Sequence, residues 1–258
     1  TADAGAGSVV IMTRPRVWQA DLVMSLSVLL LLVLHLVETM VWASSLVYGL
    51  PVSTYSAKTR IVLRAKNVLF EEREPPEGYR SAAYRAINPM GTIPALDVDG
   101  RLISESEAIN EYLEERFPTP RMLPETVLDR AHARFLGRVH DLHLEPVVRS
   151  LFPHVNASRR DAAFVATRAA DFRAQLARLA QLAQPTPFLA APFLSLADCG
   201  FAVSIPLGVQ LLAAMGHAIE LPSELAHWQE AVTGHPAVSA VLGPWREATT
   251  SWLRSQNA

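Results

Sequence analysis

The chain has 258 residues, half of them hydrophobic and 19% charged, with a formal net charge of −2. That is enough apolar material for one or two globular domains with a sizeable core, and the charge gives no electrostatic case for nucleic acid. The single cysteine, Cys199, excludes an internal disulfide framework and suits a reducing compartment, while His140 and His143, the only close histidine pair, do not make a zinc spacing.

Residues 1–45 stand apart as a hydrophobic extension. Arg14 and Arg16 precede an apolar run over 22–37, about 16 residues long, or about 22 if carried to Ala43, which is borderline for a bilayer. Three readings stand: a membrane anchor over 22–43, a helix lying against the rest of the chain, or sequence upstream of a natural start at Met40. A cleaved signal peptide fits least, because a disulfide-free chain belongs inside the cell.

From Leu46 the pattern alternates. A short apolar strand over 46–50 leads into the loop Pro51-Val-Ser-Thr-Tyr-Ser56, and a helix follows over 57–66 with Ser56 as its N-cap. Its charges, Lys58, Arg60, Arg64 and Lys66, fall between the apolar positions. A second strand over 69–74 is broken by Pro75-Pro76, and a short helix over 79–87 ends at Asn88-Pro89. Pro94 opens a strand over 95–98, as proline does at the first position of an edge strand. Asp99-Gly100 is the signature of a type I′ turn and pairs that strand with 101–103. Ser104 followed by Glu107 makes a capping box for the next helix. Strand, helix, strand, helix, hairpin and closing helix predict a mixed sheet of four strands with helices packed on it.

Phe117-Pro-Thr-Pro120 ends this domain, 46–118. Residues 119–258 read as an all-helical domain, with helices over 128–148, 158–183, 196–215, 223–232 and 236–253. Ser195 and Asp198 form a capping signature that reads as structural, and as a cap alone it is worth about 1–2 kcal/mol.

The stretch from Asn88 to Ile109 carries the chemistry. An X-Pro step at Ile93-Pro94 leaves the Ile93 N–H and C=O for an extended ligand to pair with as an added strand; the residues alone suggest an ordinary trans bond. The capping box accounts for Ser104 and Glu107, which leaves Glu105 and Ser106. Amides at a helix start favour an anion, so a ligand carboxylate fits at Ser106 and an ammonium at Glu105.

These residues resemble the cytosolic glutathione transferases, a similarity that covers nearly everything from about Leu46 onward. The resemblance implies a glutathione transferase fold, an α/β thioredoxin-like N-terminal domain followed by an all-α C-terminal domain, and a cis Pro94. It implies glutathione as co-substrate with a small hydrophobic electrophile, a cytoplasmic homodimer, and no metal. Glu105 would face the γ-glutamyl ammonium, Ser106 its carboxylate, and Ile93 the cysteinyl backbone. Thr92 takes the place of the Lys or Gln that many relatives use for the glycyl carboxylate, with Arg80 and Arg85 as the other candidates. On the same resemblance, Met40 to Gly49 is similar to the usual beginning of such an enzyme.

Glutathione chemistry needs a thiolate, yet a free thiol has a pKa of about 8.5. A hydrogen-bond donor and a helix N-terminus lower it. The loop after the first strand offers Ser53, Thr54, Tyr55 and Ser56. Ser53-Thr-Tyr-Ser-Ala-Lys-Thr-Arg60 is similar to the serine-type zeta and tau classes and puts Ser53 in the catalytic position, followed by Tyr55 and then Thr54. Zeta enzymes carry a cysteine where this chain has Tyr55, although Asn88-Pro-Met and Ile93-Pro94 resemble that class. Maleylacetoacetate-isomerase-like or dehalogenase-like chemistry and a non-catalytic glutathione- or partner-binding module remain alternatives. Phe135, Arg138, His140, Asp141, Trp245 and Trp252 are the residues expected around the electrophile.

Overall fold

The computed structural model describes residues 45–256, so the 22–43 run and its anchor and upstream-start readings lie outside the described residues. The order is β1 (Leu46–Tyr48), α1 (Thr54–Ala65), β2 (Glu71–Arg73), α2 (Ala82–Ile87), β3 (Ala95–Val98), β4 (Arg101–Ser104), α3 (Ser106–Arg116) and then a helical region. There α4 (Val127–Val139) passes through a π-helical turn (His140–Leu144) into α5 (Glu145–Ser150), followed by α6 (Ala162–Ala183), α7 (Leu196–Ala214), α8 (Ser223–Gly234) and α9 (Pro236–Gln256).

The mixed sheet runs β2-β1-β3-β4, with β1 parallel to β2 and antiparallel to β3. Asp99 and Gly100 both have positive φ, 52° and 81°, which a type I′ turn demands. The tight turn fixes the register, placing Val98 opposite Arg101 and Ala95 opposite Ser104.

Two helix caps differ from the sequence reading. Helix α1 begins earlier, because Ser53 rather than Ser56 is its N-cap, with Ser53 Oγ accepting from the Ser56 amide at 3.1 Å. Ser56 is drawn into the first turn, where its hydroxyl is buried without a partner among the described residues. The Ser104–Glu107 capping box does not form. Ser104 closes β4 and donates its hydroxyl to Asn88 Oδ1 at 3.0 Å, and Glu105 occupies the cap position with φ 73° and no side-chain capping bond. Glu107 turns instead to the Lys58 ammonium, 2.5 Å away. A buried cation is a stronger partner for a carboxylate than one backbone amide.

Helix α2 is shorter than expected, since Ser81 caps it by accepting from the Tyr84 amide at 2.9 Å. The helix expected over 128–148 is interrupted. Pro146 has no amide to give Leu142, and the chain widens into the π-helical turn in which the Glu145 N–H reaches the His140 carbonyl. Helix α6 starts at Ala162 behind an Asp161 cap, and Ser158 lies in a separate 3₁₀ turn.

Helix α7 is apolar on every side and long enough to cross a bilayer, yet it is largely buried among α1, α4, α5, α6, α8 and α9. Its start is pinned by Asp198, whose carboxylate accepts from the Ser195 amide and hydroxyl at 2.8 and 2.6 Å. Two distant donors complete it, the Leu189 amide and Trp228 Nε1, each at 2.8 Å. One turn on, a Cβ at Gly200 would stand 2.6 Å from His140 Nδ1. Gly200→Ala is therefore expected to cost about 1–3 kcal/mol through overpacking, read as a lower urea midpoint; an unchanged midpoint would mean that the imidazole can step aside.

Lys66 staples the connection between the sheet layer and the helices. Its buried ammonium donates to Glu114 and to the carbonyls of Phe117 and Pro120, at 2.7 and 2.6 Å for the carbonyls. Glu114 in turn accepts from the amides of Met122 and Leu123 at 3.0 and 3.1 Å.

Candidate functional site

Strand register brings the singled-out segments to one end of the sheet. Tyr48 is opposite Ala95, and Ala95 is opposite Ser104. The loop that follows Tyr48, the Ile93-Pro94 step that precedes Ala95 and the Glu105-Ser106 pair that follows Ser104 therefore leave the sheet side by side. Neighbouring strands lie about 4.8 Å apart, so the three exits span about 10 Å, the length of an extended tripeptide at about 3.3 Å per residue. Helices α1 and α3 both begin at this end, and each N-terminus favours negative charge.

In the first segment Ser53 is half-buried. Its oxygen accepts the capping bond, and among the described residues its hydroxyl donates to no protein group. The O–H hydrogen is thus left for a ligand, at the mouth of a helix. Thr54 has no such freedom: it is buried, and its hydroxyl donates to Glu145 Oε1 at 2.6 Å. That removes it from the sulfur-donor candidates. Tyr55 is half-buried, edge-on to the His140 ring with centroids 6.2 Å apart, and the Arg149 guanidinium lies over its face. Burial, reinforced by the Glu145 and Asp141 carboxylates, pushes the Tyr55 pKa up, so the phenol remains a proton-bearing donor. The loop is further held by Trp245 Nε1 on the Val52 carbonyl at 3.3 Å and by Arg60 on the Leu50 carbonyl at 2.8 Å.

In the second segment the Ile93-Pro94 bond is cis. Among the described residues, Ile93 makes no backbone hydrogen bond through either its N–H or its C=O. The Thr92 carbonyl accepts from Tyr84 Oη and Asn88 Nδ2, both at 2.9 Å, while its hydroxyl is enclosed without a partner among the described residues. Asn88 also accepts from Ser104, tying this loop to the end of β4.

In the third segment Glu105 is exposed and Ser106 is buried at the first position of α3. The positive φ of Glu105 is a conformation that non-glycine residues avoid, and such residues concentrate at binding sites.

The residues expected around the electrophile divide. His140 and Trp245 are core residues, 1% and 2% exposed, and cannot meet a substrate. Asp141 is engaged by Lys58 and His140; burial works to raise its pKa, and the His140 hydrogen bond and Lys58 charge outweigh it and hold it low. Trp252 packs on Phe152, and Phe135 faces solvent. Arg149 and Glu145 were not singled out by the sequence, and Asn88 was noted only as part of a motif, with no role assigned to it. Only Asn88 had a usable signal, as the buried-amide position of a loop that ends in a cis proline. Cys199 is buried in α7, and burial pushes its thiol pKa up, which leaves it unreactive.

Residues 47–121 match the family model described as glutathione S-transferase, N-terminal domain. The chain is 40% identical over 111 residues to a maleylacetoacetate isomerase of Pseudomonas aeruginosa, covering 38% of this chain and 52% of that protein. It spans about half the length of the first curated relatives it matches. Among solved structures, a bacterial zeta-class maleyl pyruvate isomerase superposes with a TM-score of 0.64 at 24% identity, covering 76% of this chain and 95% of that one. A delta-class glutathione transferase of Nilaparvata lugens gives 0.70 at 17% identity, over 83% and 100% of the two chains. Over residues 47–121 the chain matches the glutathione S-transferase N-terminal domain, and its described fold is the one those solved transferases share.

Proposed function

We propose that the protein is a glutathione transferase that carries the glutathione thiolate to small hydrophobic electrophiles. The convergence of the Ser53 loop, the cis Ile93-Pro94 step and the Glu105-Ser106 helix start at one sheet end is the observation that carries this reading. Glutathione lies extended across the three exits. Its γ-glutamyl ammonium meets the exposed Glu105 carboxylate, its α-carboxylate meets Ser106 at the start of α3, and its cysteinyl backbone pairs with Ile93. Thr92 reaches the glycyl carboxylate only if its enclosed hydroxyl turns outward. The sulfur comes to the start of α1, where the free Ser53 hydroxyl donates to it and the helix dipole favours the anion. The thiol proton leaves to solvent, and the thiolate forms the new S–C bond as the electrophile's leaving group departs.

A second reading is supported by the named relatives and by one side chain. Arg149 is exposed beside Tyr55 and offers a cation to a carboxylated substrate. Maleylacetoacetate-isomerase-like chemistry uses the same thiolate, which adds to a cis double bond, allows rotation and departs with glutathione regenerated.

Titrating glutathione while following thiolate absorbance, with turnover of a chloronitrobenzene and of maleylacetoacetate measured in parallel, separates the readings. A depressed thiol pKa with turnover of the first supports the transferase, and of the second the isomerase. Retention of glutathione with neither turnover favours the non-catalytic binding module, and no binding at all removes the proposal.

Homodimerisation belongs to the same proposal. Val127, Leu128 and Phe135 expose large apolar side chains on α4, followed by Leu142, and solvent-facing groups of that size suit a partner. Sedimentation at twice the protomer mass is expected. We also propose a cytoplasmic location, supported by reliance on a cellular thiol; fractionating cells that express the full chain tests it against anchoring through residues 22–43.

A further inference from the structure

Between the sheet layer and the helices runs an unbroken chain of buried and half-buried polar contacts, reaching the exposed Arg149 at one end. Glu107 Oε1 pairs with Lys58 Nζ at 2.5 Å, and Lys58 Nζ with Asp141 Oδ1 at 3.0 Å. Asp141 Oδ1 meets His140 Nδ1 at 2.7 Å, and His140 Nε2 meets Ser204 Oγ at 2.8 Å. Ser204 donates to Glu145 Oε2 at 2.5 Å, and Glu145 Oε1 accepts from Thr54 at 2.6 Å and from Arg149 at 2.8 Å. Asp141, His140 and Ser204 have the order of a hydrolytic triad, but His140 and Ser204 are buried and the serine proton is committed to Glu145, so no substrate meets them.

The ends of the chain are informative. Glu107 directly follows Ser106, and Thr54 stands between Ser53 and Tyr55. The chain thus joins the two ends of the glutathione row through the helical region. Space has been left for it: a Cβ at Gly137 would stand 2.8 Å from Glu107, and one at Gly200 2.6 Å from His140. The π-helical turn carries His140 and Asp141 and hands on to Glu145, and such turns are rare and frequently found at functional sites. Glu145 is fully buried, and a buried carboxylate must keep its donors. Thr54 therefore has one orientation, and so do the backbone units on either side of it.

We propose that Thr54, Glu145 and Arg149 form a positioning clamp that aims Ser53 and Tyr55 at the glutathione sulfur, anchored by the buried chain that ends at Glu107. Arg149 serves twice, donating to Thr54 at 3.3 Å as well as to Glu145 and covering the Tyr55 ring. The clamp rests on the transferase reading and deepens it, because it assigns the helical region a share in activating the thiol and not only in holding the electrophile.

The test compares full-length Thr54→Val and Thr54→Ala, which lose the hydroxyl at two sizes, with Thr54→Ser, which keeps it. Arg149→Met removes the clamp's other donor to Glu145 from its solvent-facing side, with melting temperature reporting what the loss costs the fold. The readouts are the thiol pKa of bound glutathione, by thiolate absorbance against pH, and the split of kcat from KM, with melting temperature as the folding control. The clamp requires Val and Ala to lower the thiolate fraction at pH 7 about threefold or more and kcat with it, at a KM for glutathione within about twofold, while Ser restores both. Arg149→Met should move the thiol pKa in the same direction. Parent-like pKa and kcat in Val, Ala and Met, or failure of Ser to restore them, overturns the clamp while leaving the transferase reading in place. A parent that binds no glutathione overturns both.

Discussion

Asp198→Ala is expected to destabilise the protein by about 4 kcal/mol or more, well beyond the loss of a helix cap. A capping residue alone is worth about 1–2 kcal/mol, which is the value the local Ser195–Asp198 pattern suggests. The carboxylate, however, is fully buried and holds four donors, two of them, Leu189 N–H and Trp228 Nε1–H, outside the cap. Alanine would leave all four without partners in the core, and each orphaned donor costs about 1–3 kcal/mol before relaxation. Some recovery is available, since Trp228 can turn and water can enter, so the sum is not simply additive. The measurement is the urea midpoint together with Trp228 fluorescence, which should move because the indole loses its acceptor. A loss of only about 1 kcal/mol would show that Asp198 acts as a cap and nothing more.

Ser53→Ala is expected to lower kcat with an electrophile by roughly 10²-fold, the usual consequence of deleting one donor aimed at a developing or resting anion. The thiol pKa of bound glutathione should climb back toward about 8.5. The serine has two separable duties. Its oxygen accepts from the Ser56 amide at 3.1 Å, and its hydrogen meets no acceptor among the described residues. Alanine abolishes both, costing about 1 kcal/mol of helix stability besides the activity. Ser53→Asn separates them in part, since its side-chain oxygen caps well while its donor becomes an amide N–H on a longer side chain, displaced from the serine hydroxyl's place; it should retain stability and lose activity. Tyr55→Phe is expected to fall less than about tenfold, because the helix-mouth donor would remain. If the tyrosine variant proves the weaker of the two, the donor assignment belongs to Tyr55.

Much of the fold was legible because its signals are local. The Asp99-Gly100 turn specifies a register, and that register alone carries Ala95 to Ser104. The Phe117–Pro120 break and the helical periodicity beyond it needed no distant partner either. Distant partners explain the misreadings. Lys58 sits on a helix among other basic residues and looks like a solvated charge, yet it is 1% exposed because Glu107 and Asp141, 49 and 83 positions away, neutralise it. The same pairing dissolved the capping box, since Glu107 has no reason to reach back to Ser104 when an ammonium is nearer. Ser53 and Thr54, adjacent in a run of hydroxyls, have opposite fates decided by Glu145, which pattern alone could not find.

The Lys66 staple has a consequence for how the molecule comes apart. One ammonium gathers the end of α3 and the Phe117 and Pro120 carbonyls, while Glu114 closes on the amides just beyond. A segment that would ordinarily be the exposed tether between two lobes is thereby deprived of slack. Sheet layer and helices should melt in a single calorimetric peak, and a protease offered the native molecule should cut only slowly between residues 117 and 123, although 118–121 face solvent.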